Sequence, residues 1–196
     1  MSLILASGSA IRRQVLEAAG VPVIVEKPRV DEEAVKASLR AENVKPRDQA
    51  DALAEVKALS VSNLRMGFVL GADQMLALDD DVFDKPADRD AARAQLQRLR
   101  GKTHMLLCAA VIAKDGAVIW RHIETPRLRM RNFTDAFLDD YLDQVGEAAY
   151  ASVGGYQLEG LGAQLFDRID GDYFSVLGLP LLPLLSFLRE HGVVGK

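Results

Sequence analysis

The fold is decided near the N-terminus, by Leu3-Ile4-Leu5-Ala6-Ser7-Gly8-Ser9-Ala10-Ile11-Arg12-Arg13-Gln14-Val15-Leu16-Glu17-Ala18-Ala19-Gly20. Residues 3–6 are an apolar run that reads as a buried strand, and Ser7-Gly8-Ser9 is a turn of small residues. Val15, Leu16 and Ala19 then recur at helical spacing until Gly20, a helix stop. Strand, short turn and helix in this order open an α/β protein. The turn also has the parts of an anion site. Small residues let backbone N–H groups approach a phosphate, Ser7 and Ser9 supply hydroxyls, the helix N-terminus adds positive potential, and Arg12 or Arg13 adds a bidentate cation. The plainer reading is a serine N-cap beside two solvated arginines, and such caps are common.

Outward from this unit, residues 21–25 form a second strand candidate, followed by Asp31-Glu32-Glu33 in a loop or at a helix start. Pro46 opens a helix reaching about residue 64, with Leu53, Val56, Leu59 and Ser60 on one side. Residues 68–72 form a third buried strand that ends on Asp73. Residues 76–83 read as a hairpin around Asp79-Asp80-Asp81, and Asp88 caps a helix to about residue 99. Residues 103–113 and 117–131 are two long strands joined at Asp115-Gly116, a hairpin signal. Thr134 caps a helix to about residue 144, and a Gly-rich stretch over 154–162 precedes a strand near 163–169. The apolar residues 176–188 read as a buried strand-turn leading into a helix over about 181–190, stopped by His191-Gly192. No internal repeat or low-complexity linker divides the chain, so residues 1–196 form a single α/β domain with a mixed sheet.

Composition narrows the function. The 196 residues carry 24 Lys and Arg against 28 Asp and Glu, a formal charge of -4, with 49% hydrophobic residues. That excludes disorder, coiled coil and collagen. Mild acidity argues against a nucleic-acid polymer as partner, which needs a basic surface, but leaves a small phosphate ligand open. Cys108 has no cysteine to pair with. The apolar stretches are too short for a signal core or a membrane span, so no membrane partner and a cytoplasmic location are expected.

Asp73 follows a buried strand, where open α/β sheets bind ligands, and a carboxylate there can hold a divalent metal or activate water. Glu32 is a second carboxylate, and if the two converge they suit Mg²⁺. Lys57 and Lys85 add cations; each alone reads as a surface lysine. Together with Arg12 and Arg13 they make the inventory of phosphoryl chemistry. His104, His122 and His191 lack metal-ligand spacing.

Six colinear blocks extend this reading. They are residues 3–9 with Arg12-Arg13, Gly71-Ala72-Asp73-Gln74, Lys85-Pro86, Gly101 with His104, residues 155–163, and residues 171–181. In this order they resemble the Maf-like family of nucleoside triphosphate pyrophosphatases. The resemblance implies an elongated mixed sheet related to inosine triphosphate pyrophosphatases, with two lobes around a central cleft. It also implies a homodimer and Mg²⁺- or Mn²⁺-assisted hydrolysis of a nucleoside triphosphate to monophosphate and pyrophosphate. By position, Asp73 becomes the general base and a metal ligand, Glu32 a metal ligand, and Ser7, Arg12, Lys57 and Lys85 phosphate contacts. Ser9 and Arg13 extend that substrate-binding group. Ile11, Gln74 and Glu159 fall where the family varies with the base recognised. Gln74 and Glu159 resemble the 7-methyl-GTP type, whereas Ile11 lacks that type's aromatic residue. A glutamate can accept from both guanine N1–H and the exocyclic amine, so a guanine-like or modified purine substrate is expected. A uridine/thymidine-type enzyme, or a nucleotide-responsive regulator of cell division with weak hydrolysis, are the alternatives.

Overall fold

In the computed structural model of the protein, which describes residues 2–79 and 81–195, the opening segment folds as its sequence predicts. Strand β1 (Leu3–Ala6) is wholly buried. Ser9 accepts the Arg12 N–H as N-cap of helix α1 (Ala10–Ala18), and the chain leaves through Gly20 at φ 73°. Strand β2 (Val23–Val25) pairs parallel with β1.

The acidic triplet lies at a helix start, one of its two expected settings: α2 runs Glu32–Ala41, with Asp31 accepting from the Ala34 N–H. Helix α3 (Pro46–Ser62) begins at the expected proline, but its buried face differs from the expected one. Leu53, Ala54, Lys57, Ala58 and Val61 are buried, while Val56, Leu59 and Ser60 are only partly so. The cause is close backbone packing on strand β3 (Val69–Leu78). A Cβ on Gly71 would stand 2.1 Å from the Ala54 carbonyl oxygen and 2.6 Å from the Ala58 nitrogen, so only glycine admits the helix there.

β3 corrects a second expectation: it does not end at Asp73 but carries Asp73 and Gln74 within it, because the buried residues 75–78 keep it paired. The hairpin follows as expected, with Asp79 at φ 54° and strand β4 (Asp81–Phe83) antiparallel to β3; Asp80 lies outside the described residues. Asp88 caps helix α4 (Arg89–Leu99). Strands β5 (Thr103–Lys114) and β6 (Ala117–Glu124) meet at Asp115 and Gly116, both at positive φ. The expected continuation to residue 131 is broken, and β7 (Arg127–Met130) begins after Pro126, which has no N–H for the ladder. Thr134 caps helix α5 (Asp135–Val145).

The Gly-rich stretch forms 3-10 turns at Val153–Gly155 and Leu161–Leu165, so strand β8 starts at Phe166, later than expected, and runs to Asp170. A Cβ on Gly162 would lie 2.3 Å from the Gln157 carbonyl oxygen, which keeps this stretch folded on itself. In place of a strand, Asp172 caps a short helix α6 (Tyr173–Val176), and α7 (Leu181–Glu190) closes the fold.

Hydrogen bonding orders the strands β2-β1-β3-β5-β7-β8, with β4 on β3 and β6 on β5. Pairing is parallel in β2-β1-β3 and antiparallel in the hairpins and in β5-β7-β8, a mixed sheet. The chain divides into two compact units. The first takes residues 1–74, 108–124 and 172–196, with a core including Leu3, Leu16, Leu70, Ile112 and Leu188. Burial there pushes the Cys108 thiol up to about 12, so it stays a thiol and packs as a hydrophobe. The second takes residues 75–107 and 125–171, with Leu96, Leu106, Leu128 and Met130 fully buried. Among the described residues no helix is long and apolar enough to cross a membrane.

Candidate active site

Side chains alternate along a strand, so Asp73 leaves β3 on the same face as Gly71. That is the face on which α3 lies, and Lys57, next to Ala58, reaches Asp73 across it. The Lys57 ammonium donates to Asp73 Oδ1 at 2.7 Å and pairs with Glu32 Oε2 at 2.7 Å. Lys57 is 5% exposed, and Asp73 is 8%. Glu32, half-exposed, comes from the first turn of α2. The two carboxylates thus converge, as a metal site requires, and an ammonium stands between them.

Ser7 lies at the neighbouring strand end. Ala6 pairs with Gly71, so Ser7, just past the end of β1, and Asp73, within β3, both follow the last register point of the parallel β1–β3 pair. The buried Ser7 hydroxyl accepts from the Ser9 N–H at 3.2 Å and from Arg12 Nη1 at 3.3 Å. Arg12 also donates to the Ala72 carbonyl at 2.9 Å and, through Nε, to the Gly178 carbonyl at 2.8 Å. Most of its fork is therefore spent on backbone oxygens that brace the strand beside Asp73. Arg13 turns outward, pairs with Glu17 at 2.7 Å, and lines an open depression of about 380 Å³ over Ser7, Gly8 and Ser9. The two adjacent arginines have different jobs.

Gln74 donates to the Ser175 and Val176 carbonyls at 2.9 and 3.1 Å, fastening β3 to α6. Ile11 is half-buried against the core of the first unit. Lys85 is exposed in the loop after β4, and Glu159 is exposed on a turn of the Gly-rich stretch. Both belong to the second unit, whereas every other expected site residue belongs to the first.

Sequence reasoning missed the carbonyl partners of Arg12 and Gln74. A faint signal was present for the segment that supplies the Ser175, Val176 and Gly178 carbonyls: Asp172 three residues before Ser175 is N-cap spacing, and Asp172 Oδ2 accepts both the Ser175 N–H and its hydroxyl.

The arrangement suits an oxyanion ligand and a hard cation. Two carboxylates on one point supply hard oxygen donors. No group of three or more His, Cys, Asp or Glu suited to a metal occurs among the described residues. Two carboxylates completed by phosphate oxygens and water match what Mg²⁺ or Mn²⁺ accepts.

A family model described as Maf-like protein matches residues 2–191. The chain belongs to this Maf-like family. It is 57% identical over 189 residues to a "Nucleoside triphosphate pyrophosphatase" of Paramagnetospirillum magneticum, covering 96% of this chain and 97% of that one. A protein of the same name from Hyphomonas neptunium is 54% identical over 99% of this chain and 98% of its own. A "7-methyl-GTP pyrophosphatase" of Brucella abortus is 47% identical over 97% of this chain and 96% of its own. The Maf-like blocks read in the sequence thus all lie within the matched residues.

Proposed function

We infer that this Maf-like protein is a hydrolase that converts nucleoside triphosphates to monophosphate and pyrophosphate. The observation that carries this reading is the convergence of Glu32, Lys57 and Asp73 beside the Ser7-Gly8-Ser9 turn. The names of its relatives agree with it.

In this reading the turn at the start of α1 receives phosphate oxygens on its N–H groups, with Arg13 as the outward cation. Arg12 holds the Ser7 hydroxyl and the Ala72 backbone in place. Lys57 anchors Asp73 through Oδ1, so Oδ2 is the oxygen that takes the proton of the attacking water. Water adds to the α-phosphorus, the bond to the bridging oxygen breaks, and pyrophosphate leaves opposite the attack. Glu32 and Asp73 would hold Mg²⁺ or Mn²⁺, which when bound neutralises charge on the phosphate oxygens. Lys85 supplies a further cation to the phosphates. Glu159 contacts the base and favours guanine-like or modified purines, because its two oxygens accept from two adjacent donors. Gln74 and Ile11 affect base choice, and the protein works as a homodimer.

The test is a panel of canonical and methylated nucleoside triphosphates incubated with purified protein and Mg²⁺, scored for pyrophosphate and monophosphate. Turnover with pyrophosphate release is expected, and Asp73→Ala should lower it about 100- to 10,000-fold, the range for a lost general base. Full activity in Asp73→Ala would overturn the assignment.

A further inference from the structure

The geometry points to His104 and Tyr156 as positioning residues that hold the base-recognising turn at Glu159 to the sheet of the second unit. This rests on the reading of Glu159 as a base contact.

Both side chains are buried, His104 at 1% and Tyr156 at 4% exposure. They are joined by a 2.7 Å hydrogen bond between His104 Nε2 and the Tyr156 hydroxyl. Among the described residues His104 Nδ1 has no hydrogen-bond partner, so the bond to Tyr156 is the ring's one polar attachment there. Burial holds its pKa down at about 4 and raises that of Tyr156, so both stay neutral across the working range. A neutral pair without competing partners is a fixed joint rather than an exposed contact.

The joint connects a rigid element to a segment of unusual backbone. His104 sits in β5 at a position paired with Leu128 of β7. Tyr156 follows Gly154 and Gly155, both at positive φ (80° and 75°), a backbone few other residues tolerate. Three further bonds pin the same place: the Gly154 N–H to Gln95 Oε1, the Tyr141 hydroxyl to the Gly155 carbonyl, and the Ser152 hydroxyl to the Tyr156 carbonyl. The Tyr156 ring packs edge-on against Phe166 at 4.8 Å.

From Tyr156 the chain enters a tight turn closed by the Gly160 N–H on the Gln157 carbonyl, and Gly162 rests against the Gln157 backbone. Glu159 stands at the tip of that turn. Its place is therefore set three residues back, at the Tyr156 hydroxyl. An exposed carboxylate that must meet two donors in one plane needs its backbone held, because a misplaced turn loses the base contact and spares the phosphate contacts.

The experiment compares kcat and KM for a guanine and a uracil nucleoside triphosphate in the parent, Tyr156→Phe, His104→Leu, His104→Gln and Glu159→Gln, with unfolding temperatures as control. Tyr156→Phe keeps the ring and removes only the hydroxyl. It should change the guanine-to-uracil ratio of kcat/KM about 5- to 10-fold through KM, the size of one hydrogen bond, with kcat within about 2-fold. His104→Leu should do the same, and His104→Gln, which keeps a polar group at the Nε2 position, should recover most of the ratio. An equal loss on both substrates, or an unchanged ratio in Tyr156→Phe while Glu159→Gln shifts it, overturns the joint. An unchanged ratio in Glu159→Gln overturns the reading of Glu159 itself, and the joint's role in base choice with it.

Discussion

Lys57 holds a buried ammonium 2.7 Å from Glu32 and from Asp73, so removing its charge leaves two carboxylates facing each other without a cation. Lys57→Met keeps the length and apolar stem of the side chain. It is expected to lower turnover at least about 100-fold, the cost of misplacing a catalytic group, while far-ultraviolet circular dichroism stays unchanged. Urea unfolding should show a loss of about 2–3 kcal/mol, below the usual range for a broken buried pair because the Glu32 carboxylate is 41% exposed. Parental turnover in this variant would make Lys57 a structural residue only. At this scale the sequence revealed the residue types but not their meeting. Glu32, Lys57 and Asp73 are separated along the chain, and their convergence depends on how closely α3 lies on β3. The division of labour between Arg12 and Arg13 was equally hidden, since neighbours on a helix point about 100° apart and only packing decides which faces inward.

Elements were legible wherever their ends carry a local chemical signal. Ser9, Asp88 and Thr134 cap the helices they were expected to cap, and Pro46 opens α3. They were misread where tertiary contact overrides pattern. β3 runs on through Asp73 because β4 pairs with its far end, and α3 buries small residues and a lysine in place of the expected Val56 and Leu59. Gly71 is the position on which that packing rests. Gly71→Ala places a methyl group where the Ala54 carbonyl and Ala58 nitrogen already lie, so the helix must lift. We expect a loss of roughly 3 kcal/mol or more, seen as a fall in Tm of roughly 6 °C or more. Turnover should fall at temperatures where the protein is still folded, because lifting α3 withdraws Lys57 from Asp73. An unshifted Tm would show that the contact is relieved without cost.

For the molecule as a whole, a formal charge of -4 leaves phosphate binding to local groups, and the first unit brings Arg12, Arg13 and Lys57 near Ser7 and Asp73, with Arg13 and Lys57 paired to carboxylates. Stability has a separate pH component. Burial lowers His104 from 6.5 to about 4, so between these values the unfolded chain binds a proton that the folded chain refuses. This contribution is present above about pH 6.5 and is lost as pH falls towards 4, amounting to roughly 2 kcal/mol between pH 7 and pH 5. His104→Gln lacks the titrating group, so its urea-measured stability should fall less over that interval than the parent's. Equal falls would place His104 in a more hydrated setting.

In the proposed reaction Asp73 directs water to the α-phosphorus. The most direct test is to run the reaction in ¹⁸O-labelled water and locate the label by mass spectrometry. One labelled oxygen is expected in the nucleoside monophosphate and none in the pyrophosphate, with incorporation by Asp73→Ala lowered in step with its turnover. Label in the pyrophosphate, or release of labelled orthophosphate, would contradict it.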